Sequence, residues 1–287
     1  MDKHRDIRVP VARDRFVVLH YHIFKNGGST IDYALRRSFG DAFVDFHGGH
    51  DDARLCAQDI VELVQADASI SALSSHHTRY PKPRAHGLVF FDICFVRHPL
   101  SRIRSLYHYG RMLDPGNWLA QLALAQDEGG FVSHLLQHVP HMLTDVQINY
   151  IVNGGAFARA AGPQDLRTAL AILEDMSVPG VVELFDESLT AAEFFLGPCF
   201  PRIDLAYLAH NVSSPDGHSP SGREDTLDAC RTAWGNETFD AVLALNTWDL
   251  RLYESARHEV LRRLHMLPAH ELRLATFRER CRALSQS

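Results

Sequence analysis

Residues 22–30 read His-Ile-Phe-Lys-Asn-Gly-Gly-Ser-Thr and follow an apolar run. Lys25 brings a full positive charge, Gly27 and Gly28 let the backbone turn, and Asn26, Ser29 and Thr30 add polar donors. If a helix starts here, its first amides lack intrahelical partners and its dipole favours negative charge, so the segment makes a cradle for a phosphate or a sulfate. A second set of donors lies in 95–109, FVRHPLSRIRSLYHY. Arg97 offers a planar fork for phosphate oxygens, and Ser105, eight positions on, a hydroxyl. Each charge-assisted bond of this kind contributes on the order of 1.5–3 kcal/mol. Between the two stretches stand His76 and His77; an imidazole is the side chain whose unperturbed pKa, about 6.5, suits a general base.

Such groups need a scaffold that ends strands where the donors lie. Residues 16–23 (FVVLHYHI) are β-branched and aromatic and run into the glycine turn, the pattern of a buried strand ending in a loop. From Ser29 the period changes: Ile31, Ala34, Leu35 and Phe39 recur at helical spacing, with Ser29 or Thr30 to cap and Asp32 in the first turn. Short strands are expected over 42–46 and 70–75, with a helix over 53–66 between them. Residues 88–96 (LVFFDICFV) form the near-continuous apolar run of a strand covered on both faces; it delivers Arg97 at its carboxyl end, and Pro99 opens a helix through 111. A further strand is expected over 178–185, with its helix over 187–196. Residues 118–176 read as a helical insertion without chemistry of its own, 237–264 and 269–284 as two closing helices, and 211–222 as a Ser/Pro/Gly-rich lid or excursion. The expectation is one domain over 1–287: a three-layer α/β/α fold with a mostly parallel central sheet, a topology like that of P-loop kinases, and ligands at the carboxyl ends of the strands.

A Walker A loop is G-x-x-x-x-G-K-[ST], with lysine after the glycines; here Lys25 precedes them. The order K-x-G-G-[ST]-[ST] after an apolar strand resembles the 5′-phosphosulfate loop of sulfotransferases that use 3′-phosphoadenosine 5′-phosphosulfate (PAPS). The closest likeness is to the H-x-P-K-T-G-G/S-T-S form of carbohydrate enzymes related to heparan sulfate 2-O-sulfotransferase. The stretch from Arg97 resembles their 3′-phosphate motif, an R-D-P-like turn with a serine eight residues on. The resemblance implies that Lys25, Asn26, Gly27, Gly28, Ser29 and Thr30 hold the phosphosulfate, that Arg97 and Ser105 hold the 3′-phosphate, and that Lys25 stabilises the departing phosphate. It also implies a base: these enzymes carry a catalytic histidine in G-H-x-x-Y, and His77 with Tyr80 keeps that spacing, which puts His77 first and His76 second. Phe24, Asn26 and His98 stand where the family has proline, threonine and aspartate. Weaker echoes lie in 181–189, 211–213 and 249–253, the second expected to fold over the nucleotide. The implied reaction is in-line transfer of a sulfuryl group to a hydroxyl of a saccharide or small metabolite, leaving 3′-phosphoadenosine 5′-phosphate (PAP) and needing no metal.

Composition bounds the alternatives. With 287 residues, 46% hydrophobic, and a formal net charge of −6, the chain has material for a sizeable core but no overall basic character for nucleic acid or an anionic membrane. An anion site must therefore be local. Five scattered cysteines read as reduced thiols of a cytoplasmic protein, and neither a secretory signal nor a membrane span is expected; since animal enzymes of the family it resembles are mostly Golgi membrane proteins, the resemblance without an anchor implies a bacterial, cytoplasmic chain. His22 is read as structural. His47, His50, Asp51 and Asp52 form a candidate metal group, but no further ligand spacing supports one and none is expected. Two rivals stand beside the main reading: a nucleotide or small-molecule kinase requiring ATP and magnesium, and a non-catalytic module whose Arg-rich terminal helices hold a partner. The last helix also offers a surface on which two copies could pair as a homodimer, or is a solvated cover.

Overall fold

The computed structural model describes residues 14–48, 54–154, 159–208 and 223–286. The expected loop over 211–222, and His50, Asp51 and Asp52 of the candidate metal group, lie outside the described residues. Strands β1 (Arg15–Tyr21), β2 (Phe43–Asp45), β3 (Ala72–Ser75), β4 (Leu88–Val96) and β5 (Val178–Val181) form an all-parallel sheet in the order β2-β3-β1-β4-β5. Central β1 ends with Tyr21 opposite Ser75 of β3 and Cys94 of β4. That register brings residues 22–30, 76–77 and 97 off the same edge, where the chain's direction of winding reverses about β1.

In chain order the helices are α1 (Gly28–Phe39), α2 (Ala57–Ala66), α3 (Pro99–Gly110), α4 (Trp118–Ala125), α5 (Glu128–His138), α6 (Val146–Val152), α7 (Pro163–Asp175), α8 (Phe185–Leu196), α9 (Arg223–Trp234), α10 (Asn236–Ala244), α11 (Thr247–His265) and α12 (His270–Leu284). Alternation along β1 assigns them to layers. Val17, Leu19 and Tyr21 point to the face covered by α2, α6, α7 and α11. Val18 points to the other, where α1 supplies Ile31, Ala34 and Leu35, α8 supplies Leu189, and α12 supplies Phe277. Each such buried aliphatic or aromatic side chain contributes about 1.5–3 kcal/mol. A third cluster, beside the sheet, joins α3, α4, α5, α9 and α10.

Two differences from the sequence expectation have plain causes. The run over 178–185 is strand only to Val181; a 3-10 turn and then α8 take over, because a short apolar run carries no period that separates strand from helix. β5 is an edge strand, which tolerates Pro179, and Gly180 is required because a Cβ there would lie 2.3 Å from the Phe95 ring. The helix expected over 237–264 is two, α10 and α11, broken where Asn246 turns its side chain onto the Val242 carbonyl at 2.8 Å. Among the described residues no helix is long and apolar enough to cross a membrane.

Candidate functional site

Two residues in left-handed conformation shape the loop after β1, Lys25 with φ 67° and Gly27 with φ 73°. Glycine takes this freely; a residue with a Cβ does so at a cost of roughly 1–2 kcal/mol. The amide of Asn26 bonds the Ile23 carbonyl at 3.1 Å, and those of Thr30 and Ile31 bond the Gly27 carbonyl at 3.1 and 3.3 Å. Helix α1 thus starts at Gly28 with its first amides outside the ladder, as an anion cradle needs. Gly28 answers a separate demand: a Cβ there would lie 1.9 Å from His22 Nε2. Lys25 Nζ sits 4.1 Å from the centre of the Tyr109 ring, and burial, then the nearby Arg97, pulls its pKa down to about 8. Ser29 is exposed and Thr30 buried.

Half-buried Arg97 leaves the end of β4, and its Nη1 donates to the Lys25 carbonyl at 3.1 Å, so the two motifs touch. Burial lowers its pKa against the opposing pull of Glu183. Ser105 lies two turns along α3, buried, with no hydrogen bond to Arg97 or the loop among the described residues. Asn26 departs from the ligand-binding role expected of it. It is 2% exposed, and its Nδ2 donates to the Phe95 carbonyl and to Gln147 Oε1, both at 2.8 Å. With both amide hydrogens engaged, this side chain pins the loop instead of donating to a ligand.

Gln147, which sequence reasoning missed, is the other half of that pin. Its Oε1 also accepts from the Arg97 amide at 2.8 Å, and its Nε2 donates to the Arg97 carbonyl at 2.8 Å and to Asp249 Oδ2 at 3.3 Å. Asp249 accepts from the amides of Gln147 and Ile148, while Asp145 accepts from those of Trp248 and Asp249, so α6 and α11 cap each other's first turns. One fully buried amide therefore sets the loop, the end of β4 and the C-terminal helices in register.

Beside the loop four imidazoles stand in a row. Ring centres are 5.1 Å apart for His20–His22, 3.7 Å for His22–His76 and 5.1 Å for His76–His47. Carboxylates close both ends: Asp32 lies 2.9 Å from His20 Nδ1 and 3.1 Å from His22 Nδ1, and Asp45 lies 3.0 Å from His47 Nε2. Although burial opposes it, the two histidines hold the Asp32 carboxyl far below the usual carboxylate range. His20, His22 and Asp32 offer donors of the kind a divalent cation takes, but their contacts with one another and the Ser74 hydroxyl, 2.9 Å from His20 Nδ1, account for their orientation without one. His76 Nδ1 meets the His22 carbonyl at 3.1 Å; a carbonyl only accepts, so Nδ1 carries the hydrogen and Nε2 the lone pair. Burial, then His22 and His47, pushes the His76 pKa down to about 3.

A cavity of about 740 Å³ opens here, and His22, His76 and His77 all line it. Its far wall comes from α3, where Arg102, Leu106 and Tyr109 present one face at i, i+4 and i+7, and from Met142, Val146 and Tyr150 in or just before α6. That helical spacing in the sequence was a signal for Arg102. The region 118–176 therefore does not behave as an insertion without chemistry: α4 and α5 join the third cluster, while the segment through α6 walls the cavity and supplies Gln147.

No family model matches the chain. A protein of Archaeoglobus fulgidus, named only as an uncharacterized protein, is 28% identical to it over 250 residues, covering 84% of this chain and 96% of that protein. Lys25, Gly27, Gly28, Ser29, Thr30 and Arg97 thus meet at the ends of β1 and β4, with His76 and His77 in the adjoining cavity, Asn26 turned inward and Ser105 set apart.

Proposed function

We propose that this chain is a sulfotransferase that moves a sulfuryl group from PAPS to a hydroxyl of an acceptor, a saccharide or small metabolite. The observation that carries the reading is the bond of Arg97 Nη1 to the Lys25 carbonyl at 3.1 Å, in the segments that follow two adjacent parallel strands, with the start of α1 at the end of the same loop and a histidine-lined cavity alongside. In this reading the amides at the start of α1, with Lys25, Ser29 and Thr30, hold the phosphosulfate, and the Arg97 fork takes the 3′-phosphate, with Ser105 as a further hydroxyl behind it.

An acceptor hydroxyl in the cavity attacks sulfur in line with the bridging oxygen. The new O–S bond forms as the S–O bond to the 5′-phosphate breaks, Lys25 neutralises the oxygen left on PAP, and a histidine takes the hydroxyl proton. A unit charge pair at about 4 Å is worth on the order of 4 kcal/mol at an effective dielectric of 20, an upper guide to what Lys25 adds. His77 is the base in this scheme. His76 faces the same cavity with a lone pair on Nε2, yet a pKa of about 3 leaves it a poor proton acceptor at neutral pH.

Calorimetry with PAP and with ADP, each without and with magnesium, tests the reading. PAP is expected to bind at least about tenfold more tightly than ADP without metal, the share of one charge-assisted bond. Equal affinities, or binding that requires magnesium, contradict it and favour the kinase.

A further inference from the structure

The donor accounts for Lys25 and Arg97 but leaves two guanidinium groups without a task. Arg102 is 2% exposed; its Nη2 donates to the Met142 carbonyl at 2.8 Å and its Nε has no partner. Arg79 donates to the carbonyls of Gly154, His76 and Thr78 at 3.0, 2.6 and 3.0 Å and lies 4.3 Å over the Tyr150 ring. Neither makes an ion pair among the described residues, and no lining residue of the cavity is acidic. The acid Arg102 feels most is Asp249, whose oxygens already accept from the backbone of α6. A desolvated cation without a counter-charge costs several kcal/mol, which an anionic ligand placed in the cavity would offset.

The remainder of the wall is largely apolar. Ile23, Phe24, Leu106, Met142 and Val146 line it together with the Tyr109 ring. At about 740 Å³ the space suits a single small molecule better than a polymer lying in an open trough.

We propose that the acceptor is a small hydroxylated organic acid with an apolar ring system, its anionic group held by Arg102 and Arg79 and its hydroxyl presented to His77. This rests on the sulfotransferase reading and narrows its acceptor from saccharides to hydroxy acids. The test uses the full chain saturated with PAP and a set of ring-bearing hydroxy acids, each paired with its methyl ester, which keeps the shape and removes the charge. Several acids are expected to bind, with their esters at least about tenfold weaker, the loss of one charge-assisted contact. Arg102→Met and Arg79→Gln should each bring acid and ester to within about threefold while PAP affinity, which also reports folding, stays within about threefold. If Arg102→Met fails to fold, Arg79→Gln decides. Esters that bind as well as acids, a set in which no acid binds, or a uronate oligosaccharide that outbinds every small acid each overturn the proposal with the donor reading intact. Failure of the wild type to prefer PAP over ADP overturns that reading itself, and the acceptor proposal with it.

Discussion

On α12, Arg278 meets Asp186 at 2.9 Å and Glu187 at 2.8 Å, and Arg280 meets Glu193 at 2.6 Å and also Asp204. In the cleft at the ends of β1 and β4, Arg97, Arg102 and Arg79 donate instead to backbone carbonyls, with no ion pair among the described residues. The same residue type thus does two jobs. On α12 the charges of Arg278 and Arg280 are answered by carboxylates and tie the last helix to α8 and to Asp204; in the cleft Glu183 and Asp249 act on Arg97 and Arg102 without forming an ion pair among the described residues, which leaves room for an incoming anion. Arg278 and Arg280 of the last helix are paired with this chain's own acids and are thereby less free to hold a partner.

The comparison is sharpened most by removing the base beside the unpaired cations. His77→Ala should lower turnover by about 100 to 10,000-fold while leaving PAP affinity within a few-fold; a fully active variant moves the role elsewhere. Gln147→Leu comes next. It leaves the Asn26 amide and both backbone groups of Arg97 without their partner, so urea unfolding should show a loss of about 3 kcal/mol, with weaker PAP binding. A loss within about 0.5 kcal/mol, the range of an ordinary surface change, would mean the loop and the end of β4 hold their places unaided.

A smaller effect is expected from pH. Burial, then Arg97, pulls the Lys25 pKa down to about 8 from the ordinary 10.5. The folded state therefore carries its penalty below pH 8 and sheds it as pH rises toward 10.5, where the unfolded chain still holds the proton. A bound anion reverses the shift. PAP binding at pH 9 should take up a proton, visible as a dependence of the binding heat on the buffer's ionisation enthalpy; Lys25→Met should abolish that dependence, and its persistence would assign the uptake to another group. Smallest of all, Arg278→Met should cost no more than about 1 kcal/mol of stability, as exposed pairs do, and leave PAP affinity unchanged. A marked loss of PAP affinity there would erase the distinction between the two sets of arginines.

Much of the scaffold was legible because its signals are local. The apolar run 88–96 is β4 from end to end, and the change of period at Ser29 marks α1 to within a residue. The parallel sheet with helices on both faces matches the expected architecture. What escaped was set by partners distant in sequence. Asn26 reads as a surface donor until the Phe95 carbonyl and Gln147, 121 residues away, claim its amide. Nothing near Gln147 in the sequence announces that it reaches Arg97, and α9 was missed within a polar stretch whose packing against α5 is tertiary. Arg102 was half-visible: its spacing to Leu106 and Tyr109 gives the face but not its burial or the absence of a carboxylate.

The central claim is that Lys25 with the start of α1 and Arg97 grip two phosphates of one nucleotide. Titration calorimetry of PAP and 5′-AMP into the wild type and Arg97→Ala tests it most directly. The wild type should favour PAP by roughly 10 to 150-fold, the value of one charge-assisted bond, and Arg97→Ala should bind the two alike with its 5′-AMP affinity unchanged. Equal affinities in the wild type, or a preference for PAP that survives the loss of Arg97, would contradict it.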